Sequence, residues 1–230
     1  MSEEVIKKVK EIVNQAVEFQ RKGKGEEALR LITEAELKAI GFLGSGALGN
    51  EDTKSLIGLI RHCEGRILQA MGKYDEAEEK FRNALELRKD DPVGYGYSKF
   101  QLFILKDYAG MSISPREVRD TKMVIWEWAD ATKDPRELGD VFQNLAYIEQ
   151  RRGDVQKAIW FYQVAEVFRG IASDQRGFAL TSARLGECYA KIGEIEKARE
   201  YGEKALKYFE ERGDIERIQQ VKKNVFGEKK

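Results

Sequence analysis

The chain has 230 residues, of which 40 are Lys or Arg and 40 are Asp or Glu, so its formal net charge is zero. This balance argues against a chain-wide nucleic-acid surface, because nonspecific phosphate binding depends on clustered cations. Two cysteines, Cys63 and Cys188, are too few and too dispersed for a disulfide framework or a thiolate metal site. No run of about 18 apolar residues is present, and we expect a cytoplasmic protein that does not bind membranes.

Small residues at repeated offsets predict a series of helical hairpins. Each hairpin carries an alanine early in its second helix, where a larger side chain would hold the two helices apart. These residues are Ala28, Ala77, Ala158 and Ala198, and the steps between them are 49 (28 to 77), 81 (77 to 158) and 40 (158 to 198). Because the middle step is about twice the last, we expect a degenerate copy between Ala77 and Ala158, with its marker near Val118.

The predicted helices run in pairs along most of the chain. Each proline follows an Asp or Ser that suits a helix N-cap, which predicts helix starts at Pro92, Pro115 and Pro135. Apolar residues three or four positions apart from Ile215 to Val225 predict one further helix that caps the array. The predicted elements are hairpins over residues 2–40, 53–90, 93–132, 135–172 and 175–212, and a capping helix over residues 214–226.

A Gly-rich loop is predicted over residues 41–52, and its segment Gly44–Gly49 matches the pattern G-x-G-x-x-G. A dinucleotide-binding loop of this pattern follows a strand and leads directly into a helix. Here a helix predicted to end near Ile40 precedes the segment, and acidic residues follow it. We therefore interpret the segment as a linker; a nucleotide site and a loop that folds over a bound partner are the alternatives.

The spacing of small and aromatic residues resembles a known repeat. The last copy carries Leu185, Gly186, Tyr189, Gly193, Ala198 and Ala205, and the second carries Gly65, Leu68, Gly72, Ala77, Phe81 and Ala84. This pattern is similar to the tetratricopeptide repeat, whose period is about 34 residues. The resemblance implies an all-α fold, a right-handed superhelical array (α-solenoid) of about five antiparallel helix hairpins plus a C-terminal capping helix. Steps near 40 residues resemble the extended arrays of motor light chains and bacterial peptide-sensing regulators.

The resemblance also implies a non-enzymatic scaffold or adaptor that binds a protein or peptide segment in a concave groove. In the family, the first helix of each hairpin lines this groove at its second, fifth, ninth and twelfth positions. The register selects Lys10, Val13, Val17 and Gln20; Leu59, His62, Arg66 and Gln69; Asp140, Gln143, Tyr147 and Gln150; and Leu180, Ala183, Glu187 and Ala190. The predicted peptide-binding residues are His62, Arg66, Gln69, Gln143, Tyr147, Gln150 and Arg151. A merely solvated inner face is the alternative.

Aromatic residues suggest a second function, a homo-oligomer that self-associates through exposed aromatics or a terminal helix. Trp126, Trp128 and Trp160 are the candidate interface residues. The register assigns Trp160 to an outer face, where the repeat usually carries a polar residue. The alternative is that long helices bury these rings against a neighbouring repeat.

No residue pattern points to catalysis or to a cofactor. His62 is the single histidine, and its neighbour Cys63 points about 100° away on a helix, so the pair does not form a metal site. No nucleophile with a base at a recognisable spacing is visible. We expect no enzyme activity, no cofactor, no metal and no nucleic-acid partner.

Overall fold

The computed structural model describes residues 2–46 and 49–227. In these residues the chain forms eleven α-helices and no strand, which confirms the all-α helical repeat array. The helices are α1 (Ser2–Arg21), α2 (Gly25–Gly44), α3 (Asn50–Ala70), α4 (Tyr74–Leu87), α5 (Pro92–Tyr108), α6 (Pro115–Ala131), α7 (Pro135–Arg151), α8 (Val155–Ile171), α9 (Gln175–Lys191), α10 (Ile195–Glu211) and α11 (Ile215–Phe226). None of the described helices combines the length and apolarity needed to cross a membrane.

The prolines open helices as the sequence predicts. Helices α5, α6 and α7 begin at Pro92, Pro115 and Pro135. The Asp91 carboxylate accepts a hydrogen bond from the backbone N–H of Gly94, and Asp134 caps α7 in the same way. At the start of α6, Ser114 and Glu117 form a reciprocal capping box. Since proline has no N–H to leave unpaired and a φ that suits a helix, these starts follow from local chemistry.

The helices of a hairpin meet at small residues. The marker alanines Ala28, Ala77 and Ala158 are fully buried and Ala198 is 2% exposed. Gly65 of α3 faces the Phe81 ring of α4, and a Cβ at Gly65 would lie 2.9 Å from that ring. Close approach at these points allows the long apolar side chains around them to interlock, which is the main stabilisation of a helical pair.

The chain divides into two compact units, and the single array over residues 1–230 stays a prediction. Unit 1 ends at Trp128 and unit 2 begins at Ala129. The division falls near the C-terminal end of α6, in the degenerate copy. The half-buried Val118, which replaces the marker alanine of the other copies, lies in the first turn of the same helix.

The loop predicted over residues 41–52 is too long at both ends. Helix α2 continues to Gly44 and α3 begins at Asn50. Phe42 packs against the apolar core of unit 1, and this contact favours continuation of the helix beyond the point where the glycines suggested a stop. Ala47 and Leu48 of the G-x-G-x-x-G segment lie outside the described residues. Since α2 is a helix, the segment does not follow a strand, as a dinucleotide-binding loop would.

Candidate functional site

The first helices of the hairpins do not expose all four of the predicted positions. The fifth positions of α1 and α3 pack inward: Val13 is 3% exposed and His62 is 5% exposed. The expectation that these two residues line an open groove is therefore wrong. The reason is that the fifth position points towards the next first helix, as α1 packs on α3 and α3 packs on α5. The second, ninth and twelfth positions remain at least partly accessible, among them Lys10, Val17 and Gln20 of α1 and Leu59 of α3.

His62 is a packing residue in unit 1. Its Nδ1 lies 3.1 Å from Ser98 Oγ of α5, and Ser98 in turn donates to the Gly94 carbonyl at 2.9 Å. Because the Ser98 proton is used in that bond, Nδ1 carries the proton of the neutral imidazole. Burial, followed by the charges of Arg66 and Arg88, lowers the pKa of His62 to about 3. The ring is thus held neutral between two helices and is not presented to a ligand.

Of the residues predicted to bind a peptide on α3, Arg66 and Gln69 are accessible. Arg66 is exposed and Gln69 is half-buried, at the ninth and twelfth positions of α3. They lie three residues apart, so they share one side of the helix. The structure thus brings together two of the three residues predicted on α3.

In unit 2, two glutamines of α7 are fixed by hydroxyl groups of neighbouring helices. Thr181 of α9 donates to Gln143 Oε1 at 3.0 Å. Tyr162 of α8 donates to Gln150 Oε1 at 2.9 Å. Each amide oxygen is therefore occupied by an internal partner, which leaves the NH₂ group to act as a hydrogen-bond donor. Tyr147 lies between the two amides and is half-buried.

Helix α9 adds an ion pair that sequence reasoning did not find. Arg184 donates to Glu187 Oε2 at 2.8 Å, and Asn224 of α11 donates to Glu187 Oε1 at 2.9 Å. Burial opposes the charge of Arg184, but Glu187, Tyr162 and Tyr147 outweigh it, so the pKa of the guanidinium is raised. The register selected Glu187 but not its partners, because Arg184 precedes the ninth position by three residues and Asn224 lies on another helix. We call Gln143, Tyr147, Gln150, Arg184 and Glu187 the inner face of unit 2.

Asp140 and Arg151, two further residues of α7 that were selected from the sequence, lie in different surroundings. Asp140, at the second position of α7, binds the guanidinium of the buried Arg169. Its carboxylate is therefore a structural group. Arg151 lies at the end of α7 and is exposed.

Leu180, Ala183 and Ala190 complete the register of the last copy on α9. Leu180 and Ala183 pack against the apolar cluster that α11 covers, together with Ile218 and Val225. The capping helix therefore buries part of the face that the register assigned to the groove. All three side chains are half-buried.

The three tryptophans have three different environments. Trp128 is fully buried, with its ring 4.1 Å from that of Tyr97, so it is not an interface residue. Gly96 provides the space for it, since a Cβ at this position would lie 3.0 Å from Trp128 Cβ. Trp126 is 42% exposed and Trp160 is 54% exposed. The outer-face position predicted for Trp160 agrees with this exposure.

The described residues contain no group of three or more His, Cys, Asp or Glu side chains arranged to hold a metal ion. Cys63 and Cys188 are free and buried. Burial raises the pKa of both thiols, that of Cys188 to about 12. Neither thiol is activated as a thiolate, which is the reactive form of cysteine.

Two segments of the chain match a family model. Residues 59–91 and residues 181–211 each match a model described as a tetratricopeptide repeat. The first segment covers the C-terminal part of α3 and all of α4, and the second covers the C-terminal part of α9 and all of α10; these are the two copies with the most regular small-residue pattern. No curated protein matches the chain by sequence.

Solved structures are similar to the chain over most of its length. BtubC (BKLC) from P. vanneervenii is 17% identical with a TM-score of 0.60, and the match covers 98% of this chain and 84% of that one. PilF of Pseudomonas aeruginosa is 11% identical with a TM-score of 0.56, covering 99% and 95%. A signal transduction ATPase with a tetratricopeptide repeat sensor from Pyrococcus horikoshii is 19% identical with a TM-score of 0.59, covering 91% and 31%. At these identities the similarity shows the fold.

Proposed function

The chain is a tetratricopeptide repeat protein, and from that premise we propose that it is a non-enzymatic scaffold that binds a segment of another protein. The contact surface is the inner face of unit 2. The observation that carries the proposal is the fixed orientation of two amides, those of Gln143 and Gln150, each held through its oxygen by a hydroxyl from a neighbouring helix.

The spacing of the two amides suits an extended peptide. Gln143 and Gln150 are seven residues apart on one helix, so they lie about 10 Å apart along its axis. About three residues of extended chain span this distance. Each residue of such a segment presents a carbonyl oxygen, which is an acceptor for the NH₂ group of an amide. Donors that are already oriented lose little conformational freedom on binding, which favours affinity.

The charge of this face favours a segment of low net charge. Arg184 and Glu187 are 2.8 Å apart and neutralise each other. Tyr147, between the amides, offers a ring for an apolar side chain. In unit 1 we propose Arg66 and Gln69 as a second contact surface of the same kind.

The test is peptide binding by the full chain. Peptides selected from a random phage-displayed library on the wild-type protein are synthesised with a fluorophore, and their affinity is measured by fluorescence anisotropy. The triple variant Gln143→Ala, Tyr147→Ala, Gln150→Ala is expected to lose at least about tenfold in affinity, because removal of two hydrogen bonds and one aromatic contact exceeds about 1.4 kcal/mol.

Two controls separate binding from folding. Tyr147→Ala alone leaves both internal amide bonds intact and is still expected to weaken binding. Gln156→Ala with Gln219→Ala removes two exposed amides outside the inner face and should leave affinity unchanged. Circular dichroism establishes that each variant is folded at the assay temperature. Selected peptides that bind the triple variant as tightly as the wild type would place the site elsewhere.

A further inference from the structure

Helix α8 carries an exposed apolar row on its outer side. Trp160 is 54% exposed, and Val167 and Ile171 are each 62% exposed. Val164, between them, is half-buried. The four residues follow one another at intervals of four, three and four, so they form one continuous stripe along the helix. We call them the α8 stripe.

In α4 and α10, the equivalent helices of two other copies, charged residues occupy the same places. With the marker alanines aligned, Trp160 and Val167 correspond to Glu200 and Lys207 of α10, and to Glu79 and Glu86 of α4; all four of these residues are exposed. Ile171 corresponds to Glu211 of α10. The repeat therefore tolerates charge at these positions, and packing within the hairpin does not require the apolar residues of α8. An exposed apolar row of this kind marks an interaction surface.

The arrangement of the stripe matches itself under a two-fold rotation. Its interval pattern, four then three then four, reads the same in both directions. In an antiparallel pair of α8 helices, Trp160 of one copy lies opposite Ile171 of the other, and Val164 lies opposite Val167. A two-fold interface uses the same patch on both partners, and this symmetric spacing lets each apolar residue of the stripe meet an apolar residue of the other copy. We propose that the α8 stripe is the contact surface of an antiparallel homodimer of this chain.

The charges around the α8 stripe also favour a second copy of this chain as its partner. The described side chains exposed on α8 are Gln156, Lys157, Trp160, Gln163, Val167 and Ile171, and Lys157 is the charged one among them. Two copies therefore meet with little like-charge repulsion. In the antiparallel pair, Lys157 lies beyond Ile171 of the other copy, next to the C-terminal end of that α8. The partial negative charge at a helix C-terminus attracts a cation.

The size of the contact predicts a weak dimer. One helix from each copy, with three strongly exposed apolar residues per copy, buries less than the roughly 1,200 Å² at the lower end of stable protein interfaces. The dimer is therefore expected to form with rising concentration and to dissociate on dilution. This interface does not depend on the inner face proposed to bind peptides.

Sedimentation equilibrium of the full chain between about 1 µM and about 500 µM tests the proposal. The average mass of the wild type should rise towards twice the monomer mass. The variant Trp160→Glu, Val167→Lys, Ile171→Glu places the residues of α10 on α8 and should remain a monomer throughout. Leu37→Glu replaces an exposed apolar residue of α2 at the position that corresponds to Val167, and should dimerise like the wild type.

Disulfide trapping tests the orientation. In the antiparallel pair the two Val167 residues are about 4–5 Å apart along the axis and the two Gln156 residues about 28 Å apart. Val167→Cys should therefore cross-link with itself under oxidation and Gln156→Cys should not, while Cys63 and Cys188 are buried. Cross-linking through Gln156→Cys, a wild type that stays monomeric, or a dimer that survives the triple variant would each overturn the proposal.

Discussion

Two junctions between successive hairpins, one in each unit, use the same four kinds of residue. In each, an arginine from the end of a hairpin lies between two helical glycines and binds the aspartate that caps the next helix. The sets are Gly58, Arg88, Asp91 and Gly94 in unit 1, and Gly139, Arg169, Asp174 and Gly177 in unit 2. A Cβ on any of the four glycines would lie less than 3 Å from the arginine side chain. Glycine is therefore required for the arginine to fit.

The two arginines differ in what they bind. Arg88 donates to Asp91 Oδ2 through Nε at 3.1 Å and through Nη2 at 2.8 Å. Arg169 donates to Asp174 at 2.7 Å, to the Arg136 carbonyl at 3.2 Å and to Asp140. The Arg169 side chain is also more deeply buried, at 5% exposure compared with 12% for Arg88. The same local sequence elements thus produce an ion pair in one unit and a buried network between three segments in the other.

Removal of the arginines should give the largest difference between the units. Arg169→Met leaves Asp140 and Asp174 without their cation, and we expect a loss of about 3–5 kcal/mol in the stability of unit 2. Arg88→Met leaves the more exposed Asp91, and we expect a loss of about 1 kcal/mol in unit 1. Hydrogen exchange measured by mass spectrometry reports the opening free energy of each unit separately. Equal losses in both units would contradict the comparison.

The two units also differ in the hydrogen bond that joins the first helix of one hairpin to the first helix of the next. In unit 1 the fifth position holds His62, bonded to Ser98; in unit 2 it holds Gln143, bonded to Thr181. Imidazole titrates and an amide does not. The pKa of His62 is lowered from 6.5 to about 3 in the folded chain, so the unfolded chain takes up a proton below pH 6.5 that the folded chain does not. Stability is complete above pH 6.5 and falls as the pH decreases towards 3.

Acidification should therefore weaken unit 1 through His62. Between pH 6.5 and pH 5 we expect unit 1 to lose about 2 kcal/mol that unit 2 keeps. His62→Gln gives unit 1 the residue of unit 2 and should remove this pH dependence. Urea unfolding at several pH values, with hydrogen exchange to assign the unit, measures both effects. A His62→Gln variant that remains as sensitive to pH as the wild type in this range would show that other groups cause the loss.

The repeat pattern was predictable where local steric rules decide the structure. Marker alanines such as Ala158 are buried, and helices start at Pro92 and Pro135, because close approach and capping act over a few residues. The fifth position was not predictable, since whether His62 faces water or the next helix depends on the angle between hairpins. The junctions were also missed, because Gly58 and Arg88 are 30 residues apart (58 to 88) and only the fold brings them together.

The inner face of unit 2 was predicted only in part, because some of its residues share one helix and others come from different helices. Gln143, Tyr147 and Gln150 share α7, and helical periodicity alone places them on one side. Arg184 and Asn224 meet Glu187 from two helices, which a register within single repeats does not describe. Trp128 was misassigned because its burial depends on the space that Gly96 leaves on α5.

The smallest expected effect concerns the turn within the junction of unit 2, which is longer than the corresponding turn in unit 1. Two residues lie between Arg88 and Asp91 and four lie between Arg169 and Asp174. In the longer connection Ser173 has a φ of +51°. The turns at Gly153 and Gly193 place glycine in this left-handed conformation, with φ of +88° and +80°.

In the left-handed conformation a residue with a Cβ is destabilised by about 1–2 kcal/mol, whereas glycine raises the conformational entropy of the unfolded chain by up to about 1 kcal/mol. Ser173→Gly should therefore stabilise unit 2 by up to about 1 kcal/mol, and Gly193→Ser should destabilise it by a similar amount. Urea unfolding measures both, and a Ser173→Gly variant that is less stable than the wild type would mean that the serine side chain contributes more than its backbone strain costs.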